Sequence, residues 1–280
     1  MGSQWENFLK NRGEWRGTFT DVDPCGSLLS TTSSILTLES TADETSVLFR
    51  LRRYRPGQED GEPLQDHRQE IRNLGRQVVF FETGCFSKGS LQVAPFTRFG
   101  AEVGFVTPER RLRMVQLFSE AGNFEGLVLI REFRSGSGAA ERPVLTWEDL
   151  MGGWQGEAAT ITADWPEPER QPSHSRIERM DDGTVRMTSR IGAEERTVEG
   201  TPTGSMLEHG GPRPGRFHLL PDGASSHVPL QVDHRQPFCL EVGWLVSPHE
   251  RQRLIRRYDD RGAWVSSSHV VERRQGETPA

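Results

Sequence analysis

Two tandem antiparallel β-barrels, related by internal duplication and almost free of helix, are the all-β fold the sequence predicts, on three observations. The first is a repeated hairpin. Phe238-Cys239-Leu240-Glu241-Val242-Gly243-Trp244-Leu245-Val246, a turn at Ser247-Pro248-His249 and Arg251 to Tyr258 rewrite Ala101-Glu102-Val103-Gly104-Phe105-Val106, Thr107-Pro108-Glu109 and Arg111 to Phe118. Glu241 follows Glu102 by 139 residues and Arg253 follows Arg113 by 140, so one residue entered the turn. The second observation is that this offset holds far outside the hairpin, which marks a duplication. Trp15-Arg16-Gly17 returns as Trp154-Gln155-Gly156, and Gly122, Phe124, Ile130, Glu132 and Arg134 return as Gly262, Trp264, Val270, Glu272 and Arg274. The third is strand patterning: short runs with alternating apolar residues, separated by Gly- and Pro-bearing turns, as a sheet with one buried face requires.

In order along the chain, Glu6 to Arg12 reads as one short helical turn before Gly13-Glu14-Trp15, with Leu145 to Met151 as its counterpart before Gly152-Gly153-Trp154. Thr18 to Thr20, Ser33 to Glu39 and Thr45 to Arg53 follow as strands, the last with Val47, Phe49 and Leu51 alternating against polar neighbours. Tyr54 to Asp66, with its prolines, glycines and acids, reads as a long exposed loop. Val78 to Phe81, Ser90 to Val93, Ala101 to Val106, Arg111 to Phe118 and Phe124 to Glu132 complete about eight short strands per half, a barrel-like spacing. Ser135 to Ala140 is small and flexible, so the chain divides into 1–138, a linker at 139–142, and 143–280. In the second half Ser173 to Met180, the Asp181-Asp182-Gly183 turn and Thr184 to Arg190 form the clearest hairpin, and Gln275 to Ala280 reads as a frayed tail.

Composition narrows the function. Hydrophobic residues are 34% of the 280, and the 29 glycines bring the apolar class to a normal globular share, enough for two modest cores. A net charge of −6 argues against general nucleic-acid binding, which needs a dominant basic face. Only Lys10 and Lys88 are lysines among 34 basic residues, a bias read mainly as codon composition. Cys25, Cys85 and Cys239 make no disulfide framework, and Cys239 reads as a small buried apolar residue in a reduced setting. The first residues have no apolar run of a signal peptide, Glu6 stands where a myristoylation signal wants Ser or Thr, and no stretch approaches transmembrane length. The expectation is a soluble cytoplasmic protein without direct membrane insertion.

Gly13-Glu14-Trp15 and Gly152-Gly153-Trp154 open the first strand of each half, and each last strand runs into an arginine, Arg134 or Arg274. This resembles the calycin superfamily, the lipocalins and their relatives, in which Gly-x-Trp closes one barrel end beneath a last-strand arginine. The resemblance implies that Trp15, Trp154, Arg134 and Arg274 are structural barrel plugs. Glu14-Trp15-Arg16-Gly17, Leu219 to Ser226 and Leu240-Glu241-Val242-Gly243-Trp244 are similar to a cyanobacterial two-barrel family, a domain of unknown function distantly related to a chloroplast ATP synthase biogenesis factor. That likeness covers nearly the whole chain. It implies a cyanobacterial host and a non-enzymatic binding protein, an assembly factor for a photosynthetic-membrane complex such as the ATP synthase, with catalytic-head subunits as partners. The alternative it leaves is a calycin carrier of a small apolar ligand or pigment, of bilin or carotenoid type, including a bilin lyase-like role.

The candidate site comes from the repeat. If Gly104 lies opposite Arg113, Glu102 is one diagonal away on the same face, and the same count brings Glu241 to Arg253. Such a pair is worth roughly 0.2–1 kcal/mol when exposed. It reads either as a salt bridge duplicated with the domain or, inside a cavity, as a pair that orients a ligand's carboxylate or amide. Arg110, Arg111 and Arg113, with Arg251, Arg253, Arg256 and Arg257, form two basic strands. Read blandly they are solvated strand edges that discourage sheet-to-sheet pairing; read functionally they are a docking strip for an acidic protein. Glu102, Arg111, Arg113, Glu241, Arg251 and Arg253 are therefore the ligand- or partner-binding candidates. Seven of the eight histidines lie in the second half, His218, His227 and His234 among them, at spacings that match no zinc pattern. Asp222-Gly223 is turn chemistry, Ser225-Ser226 joins no triad, and Gly136-Ser137-Gly138 opens no helix. No catalytic residue, metal or cofactor is expected.

Overall fold

The computed structural model describes residues 3–164 and 167–276. The first half opens with α1 (Gln4–Leu9), whose N-cap Ser3 and Glu6 form a reciprocal capping box that satisfies two of the helix's orphan amides. Nine strands follow: β1 (Gly13–Val22), β2 (Leu28–Ser40), β3 (Val47–Tyr54), β4 (Gln65–Ile71), β5 (Val78–Phe80), β6 (Phe86–Gly89), β7 (Phe99–Val106), β8 (Arg110–Phe118) and β9 (Phe124–Arg134). They form one sheet in the order β4-β3-β2-β1-β9-β8-β7-β6-β5. Every sequential pair but β4 and β5 is adjacent, and β1 also takes β9 on its free edge, which curls the meander into a nearly closed barrel.

The second half repeats the plan with α2 (Trp147–Leu150), capped by Thr146 and Asp149, then β10 (Gly152–Thr162), β11 (Glu169–Arg179), β12 (Val185–Ile191) and β13 (Glu194–Gly200). After β14 (Pro202–Thr203), β15 (Met206–His209), β16 (Gly215–Leu219) and β17 (Ala224–Pro229) come β18 (Phe238–Ser247), β19 (Glu250–Tyr258) and β20 (Trp264–Arg274). Their order, β13-β12-β11-β10-β20-β19-β18-β17-β16-β15-β14, is the same curl closed by first strand against last. Trp15 stands opposite Arg134 and Trp154 opposite Arg274, so the duplication is written in the register as well as in the residues.

The chain forms two compact units: Met1–Gly89 with Gly100–Gln116 and Gly126–Glu141, and Ser90–Phe99 with Leu117–Glu125 and Arg142–Ala280. Trp15, Leu36, Leu112, Met114 and Leu129 are buried in the first half, and Trp154, Leu150, Val185, Leu207 and Phe217 cluster in the second.

The structure corrects several sequence expectations. Strand β4 begins inside the end of the loop expected over Tyr54 to Asp66 and runs on through residues to which no element was assigned; it is exposed along nearly its whole length, so it carries no alternation to read. Residues 90–93 hold one isolated bridge, Gln92 to Ala263, and the strand is instead β6. The basic strands are not edges. In the order of the sheets β8 lies between β9 and β7, and β19 between β20 and β18. Arg110, Arg111, Arg113, Arg251, Arg253 and Arg256 are all buried, which removes them from any docking strip. Cys239 is half-buried, and its sulfur accepts a hydrogen bond from Arg196. The frayed tail was expected over 275–280, of which 277–280 lie outside the described residues.

Candidate functional site

Each barrel holds a carboxylate at its heart, and the register shows how it gets there. Glu272 on β20 stands opposite Gly156 on one side and Arg251 on the other. The glycine offers no side chain to compete for that space, and the arginine supplies a counter-charge. Arg251 donates from Nε and Nη2 to Glu272 Oε2 at 3.2 and 2.6 Å. Arg253 donates to both carboxylate oxygens at 3.2 and 3.0 Å and spends its third nitrogen on Glu241 at 3.1 Å. It can reach sideways because its own cross-strand neighbour is Gly243. The hydroxyls of Ser173 and Ser175 complete the shell at 2.7 and 3.0 Å.

The first barrel carries the same cluster with one side less finished. Glu132, opposite Gly17, takes two hydrogen bonds from Arg113 at 3.0 and 2.8 Å, and Arg113 also donates to Glu102 at 2.7 Å. Arg111 comes only to 3.6 Å of Glu132, and its Nε and Nη1 have no hydrogen-bond partner. Leu36 occupies the place of Ser175, since both face the buried tryptophan of their half. Ser34, in the place of Ser173, has a hydroxyl with no partner.

These contacts set the titration behaviour. Burial raises the pKa of Glu132 and Glu272, the largest single effect, yet the paired guanidiniums outweigh it and both carboxyls end below their ordinary value. Burial likewise lowers Arg113 and Arg253, and their two carboxylates more than restore them. Arg111 is pushed down to about 10, because burial is only partly offset by Glu132 and the Arg113 charge adds to the penalty. A carboxylate held this way is a poor proton donor or acceptor near neutrality. The cluster is a lock rather than acid–base machinery.

Beneath each cluster lies the tryptophan floor. Gly13 and Gly152 adopt φ of +122° and +101°, and a Cβ at Gly13 would stand 2.4 Å from Arg134 Nη1, so the motif's glycine leaves room for the arginine. Arg134 lies 4.3 Å over the Trp15 ring and Arg274 lies 4.3 Å over Trp154. Each indole donates at 2.9 Å to a carbonyl four residues upstream, that of Asn11 just past α1 or that of Leu150 at the end of α2. Each arginine also ties down the turn before the penultimate strand, through Pro108 O and Pro248 O.

In the second barrel two open volumes adjoin this frame. An outer cleft of about 630 Å3 is lined by Arg196, Val198, Phe238, Val265 and their neighbours. An inner cavity of about 50 Å3 shares Arg196 and Val198 with it and reaches Ser175, Glu241, Arg251 and Arg253. Between them sits a cluster that sequence reasoning did not assemble. Arg196 on β13 donates to Cys239 Sγ at 2.9 Å and lies 3.2 Å from His227 Nε2, which in turn is 2.8 Å from His209 Nε2. Burial first, then the Arg196 charge, holds His227 well below its ordinary value; burial also lowers His209. With Arg196 donating to His227 Nε2, the proton between the two rings is assigned to His209.

The two barrels diverge along one row of side chains. Trp154, Ser175, Ser189 and Arg196 are successive cross-strand partners in the second; Trp15, Leu36, Leu51 and His67 are the same row in the first. Of the predicted candidates, the structure brings Glu102, Arg111 and Arg113 together in one barrel and Glu241, Arg251 and Arg253 in the other. The sequence reading missed Glu132 and Glu272 as their partners, although both recur at the repeat offset of 140 beside the last-strand arginine. No group of His, Cys, Asp or Glu suited to a metal ion occurs among the described residues, and no helix there is long and apolar enough to cross a membrane.

Comparison with known proteins follows this division. The model described as "Domain of unknown function (DUF3598), N-terminal" matches residues 1–137. The model described as "Biogenesis factor required for ATP synthase 1, C-terminal domain" matches residues 141–275. The crystal structure of a DUF3598-family protein of unknown function from Nostoc punctiforme is 42% identical, covering 98% of this chain and 100% of that one, with a TM-score of 0.91. An S-type phycobiliprotein lyase from Guillardia theta is 14% identical over 47% of this chain and 92% of its own, with a TM-score of 0.37, a likeness that carries no argument about function. No curated protein matches the sequence. The likeness to the Nostoc protein runs over 98% of the chain, both halves included, and the chain belongs to the DUF3598 family.

Proposed function

We propose that the protein is a non-enzymatic assembly factor that acts in the biogenesis of the ATP synthase and engages subunits of its catalytic head in the cytoplasm. One observation carries this reading: residues 141–275 match the C-terminal domain of a biogenesis factor required for that complex. The geometry supports it in kind. The buried carboxylates are committed to arginines, which suits a rigid body that presents surfaces rather than a site that moves protons. The test is affinity purification of the tagged protein from its host beside a strain lacking the gene. The expected result is enrichment of catalytic-head subunits and less assembled synthase in the deletion strain. No enrichment together with normal synthase abundance overturns the reading.

A second reading, a carrier of a small apolar molecule of bilin or carotenoid type, is favoured by the cleft of about 630 Å3 in the second barrel, a volume in the range of ligand sites.

A further inference from the structure

We infer that the second barrel recognises an amphipathic anion, a carboxylate on an apolar body, with the head at Arg196 and the body in the outer cleft. The inference rests on the carrier reading and names the chemistry such a carrier selects. Arg196 is a guanidinium of this barrel that opens onto the cleft and meets no acid among the described residues. Arg253 holds two carboxylates and Arg251 holds one, whereas the contacts of Arg196 are a sulfur and an imidazole, and no carboxylate lies within ion-pair distance of it among the described residues. A half-buried guanidinium without a counter-ion is costly, and a carboxylate that arrives with its own apolar cover relieves that cost through charge-assisted hydrogen bonds. The neighbouring imidazoles, His209 and His227, are both held below their ordinary pKa, so they add no charge beside Arg196, and the cleft's other guanidiniums are Arg213 and Arg257.

The surroundings divide as such a ligand requires. Arg196 stands at the junction of the two volumes, and Val198, Pro229, Phe238 and Val265 line the outer one. Three of the four acids that line the cleft are already engaged: Glu194 faces Arg257 at 3.6 Å, Glu199 pairs with Arg186, and Asp259 accepts from the amides of Arg261 and Ala263. Glu195 is exposed. The first barrel places Leu36, Leu51 and an exposed His67 along the equivalent row, so this recognition belongs to the second copy.

The test uses a fluorescent pair with one tail and two heads, dansyl-aminoundecanoic acid and its methyl ester, titrated into the full-length protein. The acid binds saturably at one site. Arg196→Gln weakens the acid by about tenfold or more, the loss of one charge-assisted bond, while the ester changes by less than about twofold. Val265→Trp, at an exposed lining position, fills the cleft and weakens both probes. It keeps the test independent of any disturbance that Arg196→Gln causes on β13, and melting curves establish that both variants are folded. Displacement of the acid by oleate or by biliverdin tells a linear from a tetrapyrrole carboxylate. Equal binding of the acid to wild type and Arg196→Gln overturns the anion site and leaves the carrier reading standing. Binding of neither probe, or of a probe that neither competitor displaces, overturns both.

Discussion

Glu272 takes hydrogen bonds from two arginines and two serines, whereas Glu132 takes them from one arginine with a second standing off at 3.6 Å. The difference predicts unequal costs for the same substitution. Arg251→Met removes bonds to Glu272 and Ser175, while Arg111→Met removes one long ion pair and relieves two buried nitrogens without partners. Urea unfolding is expected to show Arg251→Met less stable than Arg111→Met by about 1–3 kcal/mol, the range for hydrogen bonds to charged groups. Equal losses would mean that the stand-off contact carries as much as the bonded one. The Glu102/Arg113 and Glu241/Arg253 pairs were legible in the sequence because a hairpin fixes which residues share a face. Glu132 and Glu272 were not, because the same count had to be carried across the next hairpin to the last strand.

At Gly17, where β1 meets β9, and at Gly156, where β10 meets β20, the backbones approach to a separation only glycine tolerates. A Cβ on Gly17 would stand 1.9 Å from Arg131 O, and one on Gly156 would stand 1.8 Å from Val271 O. Both obstacles are backbone, so neither can rotate away. Gly17→Ala and Gly156→Ala are each expected to destabilise by about 1–3 kcal/mol or more, as overpacked positions do, with a matching drop in Tm. A change within about 0.5 kcal/mol, typical of surface sites, would show that the seam has slack. The recurrence of Trp-x-Gly at this seam was visible in the sequence; its reason was not, since close backbone approach leaves no mark on composition. Strand β4 escaped for the opposite cause. Exposed on nearly every residue, it lacks the alternation by which β3 announces itself.

At the scale of the molecule, both halves store stability in a carboxylate whose folded pKa lies below its ordinary value of 4.5. The unfolded chain therefore binds more protons as the solution is acidified, and this stability, complete above about pH 4.5, is lost as pH falls towards the depressed folded values. Urea midpoints measured from pH 7 downward are expected to hold and then fall below about pH 4.5, and Glu272→Gln is expected to flatten that fall. A wild-type profile unchanged through acid would remove the two clusters from the stability account. Duplication made the paired architecture readable from one chain, whereas the divergence of the two interiors depends on which side chains meet across strands, which spacing alone does not reveal. The closure of first strand on last also bears on how the protein is made. Glu132 and Arg134, like Glu272 and Arg274, are among the last residues of their halves to leave the ribosome. Until they emerge, Arg111 and Arg113, or Arg251 and Arg253, have no buried acid to meet and the tryptophan has no lid. Neither half of the nascent chain can therefore close its barrel or complete its buried cluster until synthesis of that half is almost finished.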